Sequence, residues 1–114
     1  MDMSTVYLVQ DTKWVDKDGQ LKSKFDFSAA TQYGELVELL EPGASPFDLA
    51  PVIYRLQDRL RNFSRTDYLL LVGSPVLIGL AVAIAANYGD GDVAMLQWSG
   101  AKRQYIPARA YGIY

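Results

Sequence analysis

The uncharged run Tyr68-Leu69-Leu70-Leu71-Val72-Gly73-Ser74-Pro75-Val76-Leu77-Ile78-Gly79-Leu80-Ala81-Val82-Ala83-Ile84-Ala85-Ala86-Asn87-Tyr88-Gly89, bracketed by Asp67 and Asp90, decides the fold. An unbroken apolar run of about 20 residues is long enough to cross a bilayer as one helix. Gly73-Ser74-Pro75 divides this one instead. Ser is favoured at a helix N-cap and Pro at the first helical position, and the residue before Pro is pushed out of the α region. A helix therefore starts at Pro75 and does not run through it. Tyr68–Val72 before the break has the length of a buried strand, and Val76–Tyr88 after it that of an ordinary globular helix. Neither end carries a Lys/Arg cluster of the kind that flanks membrane spans. The expectation is strand, turn and helix in a soluble protein.

Outward from this unit, Thr5–Gln10 is rich in β-branched and aromatic residues and reads as a strand covered on both faces. Asp18-Gly19 predicts a type I′ turn joining arms Trp14–Lys17 and Gln20–Phe25 into an exposed β-hairpin, an insertion at 13–25. Asp16-x-Asp18-Gly19 matches a calcium loop only in part: Trp14 and Phe25 stand where carboxylates belong, so the turn is preferred. Phe27–Tyr33 reads as a loop. Glu35–Leu40 reads as a strand closed by Glu41-Pro42-Gly43. A helix starting near Asp48–Ala50 places Leu49, Val52, Ile53, Leu56, Leu60 and Phe63 on one stripe, with arginines opposite. Val93–Trp98 and Arg103–Arg109 read as an antiparallel pair, and Pro107, which has no N–H to give a ladder, puts the second at a sheet edge. The fold class is α/β: a small Rossmann-like, mostly parallel sheet of four to five strands with two main helices and a C-terminal antiparallel edge hairpin, in a single domain over 1–114.

Composition narrows function. The 114 residues include no Cys and no His. That removes thiolate ligands, the Cys nucleophile and the commonest general base, and no Ser has an identifiable base partner. We expect no metal site and no cofactor; the balance leans away from an enzyme, and although carboxylates are plentiful enough for paired-acid catalysis, nothing in their spacing selects a pair. Met1-Asp2-Met3-Ser4 lacks the basic segment and apolar run of a signal peptide. Residues 1–48 hold nine acidic side chains and four lysines, net −5, whereas 49–114 hold four acidic and seven basic ones, net +3.

Two weak site candidates emerge. Gly73 and Ser74, with Gln10 and Asp11 at the end of the first strand, would stand at the carboxyl ends of parallel strands, where a helix N-terminus receives anions or nucleotides. The four match no Gly-rich phosphate motif, and a helix start needs the same residue types. Arg55, Arg59, Arg61 and Arg65 would form a basic patch, with Trp98, Tyr105 and Tyr111 as stacking platforms for nucleic acid. The acidic balance and the interrupting Asp58 and Asp67 make nucleic acid an unfavoured partner. The helix after Pro75 is apolar all round, so one sheet face cannot cover it. The first helix, the hairpin or a second subunit must do so, and a homo-oligomer is expected.

The stretch Asp67–Asn87, with Leu96-Gln97-Trp98 and Tyr105-Ile106-Pro107, resembles small uncharacterised proteins encoded by tailed bacteriophages, especially aquatic ones. Tyr33-Gly34-Glu35 and Arg59–Ser64 are similar too, and the hairpin looks like an addition to the shared part. The resemblance implies an accessory protein acting in the host bacterial cytoplasm, with a host or phage protein as partner. It carries over no site residues.

Overall fold

The computed structural model describes residues 4–23 and 25–114. Five strands form one sheet in the order β4-β1-β5-β6-β7, with β1 Thr5–Gln10, β4 Glu35–Leu40, β5 Tyr68–Leu70, β6 Val93–Ser99 and β7 Gln104–Ala110. The first four are mutually parallel and β7 returns antiparallel to β6. Two more strands, β2 Lys13–Val15 and β3 Leu21–Ser23, pair only with each other among the described residues. The helices are α1 Leu49–Arg59 and α2 Pro75–Tyr88. The mostly parallel α/β sheet with its antiparallel C-terminal hairpin is thus the architecture read from the sequence.

Chirality explains which layer goes where. From β1 to β4 the chain steps one way along the sheet; from β4 to β5 and from β5 to β6 it steps the other way. Right-handed crossovers then place the first connection on one face and α1 and α2 together on the opposite face. The packing follows. Val9, Leu39 and Leu69 meet Val52, Leu56 and Leu60 of α1 and its continuation, and Leu77, Ala81 and Ala85 of α2. On the other face Val6, Leu8, Leu70 and Leu96 meet Phe27 and Ala30. β1 is therefore buried on both faces, as its continuous apolar run requires.

The layer over this second face differs from the expectation. Residues 28–33 form a 3-10 helix, not a loop. Polar side chains drive it. Asp26 Oδ1 accepts the Ser28 amide at 2.9 Å, the Thr31 hydroxyl donates to the Ser28 carbonyl at 2.6 Å, and Ala30 is the one residue that points into the core.

Two turns also depart from the expected detail. The hairpin loop is wider than a two-residue type I′ turn. Gly19 donates its N–H to the Asp16 carbonyl at 3.0 Å, and of the two turn residues only Gly19 has positive φ, at 80°. This is a type I turn followed by a left-handed glycine. Asp16 selects it, because Oδ1 accepts both the Asp18 and Gln20 amides at 2.9 Å. β5 stops at Leu70 instead of Val72: the Val72 N–H turns back to the Leu70 carbonyl at 3.0 Å and bends the chain ahead of Gly73.

Both edges of the sheet are blunted. Pro107 lies opposite Leu96 in β7 and leaves a missing donor on that strand. On β4 the Glu38 carbonyl accepts Arg59 Nη1 at 2.8 Å, and its carboxylate pairs with Lys13 at 3.1 Å. Among the described residues no helix is long and apolar enough to cross a membrane.

Candidate functional site

The sheet order places its reversal between β1 and β5, and ligands of open α/β sheets bind outside the carboxyl ends of the strands at such a reversal. Gln10, Asp11, Gly73 and Ser74 all lie there. Gln10 and Gly73 touch: the Gln10 N–H donates to the Val72 carbonyl at 3.1 Å, and a Cβ added to Gly73 would sit 2.9 Å from Gln10 Cβ. With φ at 113°, Gly73 is held to glycine by backbone conformation and by this neighbour together.

Each of the four has internal work. Gln10 Nε2 lies within bonding distance of three carbonyls of the β4–α1 loop, Glu41 at 3.1 Å, Pro42 at 3.3 Å and Ala44 at 2.9 Å. Asp11 is 2% exposed and accepts the Ser23 hydroxyl at 2.6 Å on Oδ2, which anchors the hairpin to the end of β1. Its Oδ1 has no partner among the described residues. Ser74 occupies the N-cap position of α2, yet its side chain makes no cap bond. Its carbonyl accepts the Ile78 amide at 2.9 Å and starts the helix. A buried carboxylate beside Gln10 opposes an anion at this break.

Each of the four arginines has a partner within the fold. Arg55 pairs with Glu41 at 3.2 Å, Arg61 with Asp58 at 3.1 Å and Arg65 with Asp92 at 3.7 Å, and Arg59 caps the β4 edge. Of the three aromatic platforms, Trp98 and Tyr105 come together in cross-strand register, rings 5.0 Å apart and close to edge-on. Tyr111 lies apart from them in the tail, exposed.

A cavity of about 510 Å³ that the sequence did not point to opens beside this aromatic pair, at the carboxyl ends of β5 and β6 on the face covered by the 3-10 helix. Phe25 and Phe27 line it from one chain segment, Trp98 and Tyr105 from the other, with Leu70 and Val72 between. Asp26 and Arg103 bring opposite charges to it. The Asp26 carboxyl is held below the ordinary carboxylate range by the Ser28 amide. Burial, then the Asp26 charge, pushes the Tyr105 phenol up. The signal for its first wall was the pair of aromatics Phe25 and Phe27 flanking Asp26. No group of acidic side chains among the described residues is arranged to hold a metal ion.

With the geometry in place, comparison with known proteins gives one match, to the phage Pam3 gp32-like protein family over residues 4–111. The chain belongs to the phage Pam3 gp32-like family. The family match extends over β1 through β7, with the β2–β3 hairpin inside its bounds. No curated protein and no solved structure matches. Membership in the Pam3 gp32-like family establishes a phage-type protein.

Proposed function

We propose that this phage protein works by association and not by catalysis, in the cytoplasm of the host bacterium, and that its first partner is a second copy of itself. One observation carries the reading: α2 has no polar side chain from Val76 to Ala86, yet part of its surface is in solvent. Val76 is 47% exposed, and Gly79 and Ala83 are exposed beside it at helical spacing. α1 and the C-terminal tail reach α2 through Tyr88 Oη on the Gln57 carbonyl at 3.2 Å and Tyr114 Oη on the Ala83 carbonyl at 2.7 Å, and they leave Val76, Gly79 and Ala83 exposed. Small residues at Gly79 and Ala83 let a second helix approach closely, and the apolar side chains around them exclude water from the contact. The sheet edges offer no comparable route, since Pro107 and Arg59 obstruct them. The opposite net charges of the two halves of the chain favour packing of copies in complementary orientation.

The chain has no cysteine, so a single one reports proximity cleanly. Ala83→Cys should form an intermolecular disulfide under mild oxidation, and Ala50→Cys, exposed on α1, should not. Equal rates at the two positions would contradict the reading.

A second partner surface is favoured by the β2–β3 hairpin. Val15 and Leu21 stand opposite each other, 61% and 66% exposed, and the ribbon pairs with no other strand. An apolar cross-strand pair held out in solvent suits a host or phage protein. Capture by immobilised protein, lost in Val15→Ser/Leu21→Ser, tests that arm.

A further inference from the structure

The cavity between the Phe25–Ala29 segment and the β5–β6–β7 strand ends points to a second, separate activity, and we propose that it binds a nucleoside monophosphate: a flat heteroaromatic ring with an anionic arm. The inference stands apart from self-association, because α2 lies on the opposite face of the sheet.

The aromatic lining selects a planar ligand. Two rings come from one chain segment and two from another, above a floor of Leu70 and Val72, in a space of about 510 Å³. Pockets for small molecules run from about 300 to 1,000 Å³ and combine apolar walls with a few polar groups. Trp98 remains 52% exposed even though it packs edge-on against Tyr105. A half-exposed Trp beside a cavity offers its remaining surface to a base, and any base can stack.

The polar groups select what the ring carries. Arg103 stands in the β6–β7 turn with φ at 50°, a conformation uncommon for any residue but glycine, and it makes no ion pair or side-chain hydrogen bond among the described residues. The other arginines are each engaged with a carboxylate or a carbonyl: 55, 61 and 65 in ion pairs, 59 and 109 on main-chain oxygens. A guanidinium left unpaired at a cavity suits a phosphate, which it meets with two parallel hydrogen bonds. Asp26 accepts the Ser28 amide on Oδ1 at 2.9 Å, and the Ser28 hydroxyl also bonds this carboxylate. A carboxylate has about four acceptor sites, so Asp26 keeps room to accept from an exocyclic amine or a sugar hydroxyl. An acceptor and a cation around an aromatic slot match a nucleotide better than a simple aromatic acid, which has nothing to give Asp26.

The chain has two tryptophans, Trp14 in the hairpin and Trp98 at the cavity, so Trp14→Phe leaves Trp98 as the sole indole. The experiment titrates this full-length variant with AMP, GMP, CMP and UMP, and in parallel with adenosine and with inorganic phosphate, following Trp98 fluorescence. Saturable quenching by at least one monophosphate below about 1 mM is expected, with adenosine and phosphate each roughly tenfold weaker or silent. Adding Arg103→Asn, a residue that tolerates the left-handed conformation, should weaken the monophosphate by a similar factor while leaving the circular dichroism unchanged. No saturable quenching by any of the four, or equal quenching by adenosine and by the Arg103→Asn variant, would overturn the proposal. Neither result bears on whether the protein self-associates.

Discussion

Asp67 shows how much one residue can hold. The sequence offered it only as a charge interrupting the arginines, yet it is 6% exposed and bonded on both oxygens. Oδ1 accepts the Thr5 amide at 2.9 Å, and Oδ2 accepts the Ser64 amide at 2.9 Å and its hydroxyl at 3.2 Å. It ties the start of β1 to the loop that leads into β5. Its charge, after burial itself, also raises the pKa of Tyr7 beside it. Asp67→Ala leaves the half-buried Thr5 amide and the Ser64 amide without this partner and should cost about 1–2 kcal/mol in chemical unfolding. The sequence could not show this, because the pairing spans 62 positions and any Asp before a strand looks alike. Gly73 was read as a position where a ligand could approach the backbone, and in the fold Gln10 lies close against it. Gly73→Ala should lower stability by about 1–3 kcal/mol in the same assay, through strain and the Gln10 contact. A neutral outcome there would mean the β5–α2 turn relaxes freely.

Elements were legible where one local signal dominated. Pro75 opens α2, Glu35–Leu40 is a strand with those bounds, and the α1 stripe is buried at Val52 and Leu56, with Leu49 and Ile53 half-buried; Leu60 and Phe63 are buried as expected but lie past the end of α1 at Arg59. The 3-10 helix was not legible, because its polar residues bond locally and the pattern resembles a loop. The hairpin turn was read as the wrong type because Asp18-Gly19 masked the part played by Asp16. That carboxylate is held below its ordinary value of 3.8, chiefly by the Gln20 amide and then by Lys22 and the Asp18 amide. A depressed folded pKa stabilises the loop above the unfolded value and ceases to do so as pH falls through the folded one. The Asp18 and Gln20 amide resonances should therefore titrate together below pH 3.8. Titration at or above the ordinary value would show that the amides do not bond the carboxylate. Within α2, Gly79 has open space around it, so Gly79→Ala should raise the stability of the isolated protomer by up to about 1 kcal/mol in thermal unfolding at low concentration. A loss of stability there would mean that the added methyl meets something packed on this face.

At the scale of the molecule, the order β4-β1-β5-β6-β7 and the right-handed crossover rule together set both layers: two helices on one face, a short 3-10 helix on the other. The thin layer leaves the aromatic cavity; the thick one leaves the apolar surface of α2. Neither feature follows from composition. Both depend on which strands become neighbours, which periodicity does not report. The expectation that something beyond the sheet must cover α2 did follow from its sequence, and Tyr114 and α1 meet it only in part, since Val76, Gly79 and Ala83 stay exposed. Sedimentation equilibrium across a wide concentration range tests the consequence most directly. The account predicts that the mass rises from 12.7 kDa towards twice that value, and that Val76→Glu, at an exposed position in the first turn of α2 where an acid suits the helix dipole, returns it to 12.7 kDa. A mass of 12.7 kDa for the unaltered protein at every concentration would contradict it.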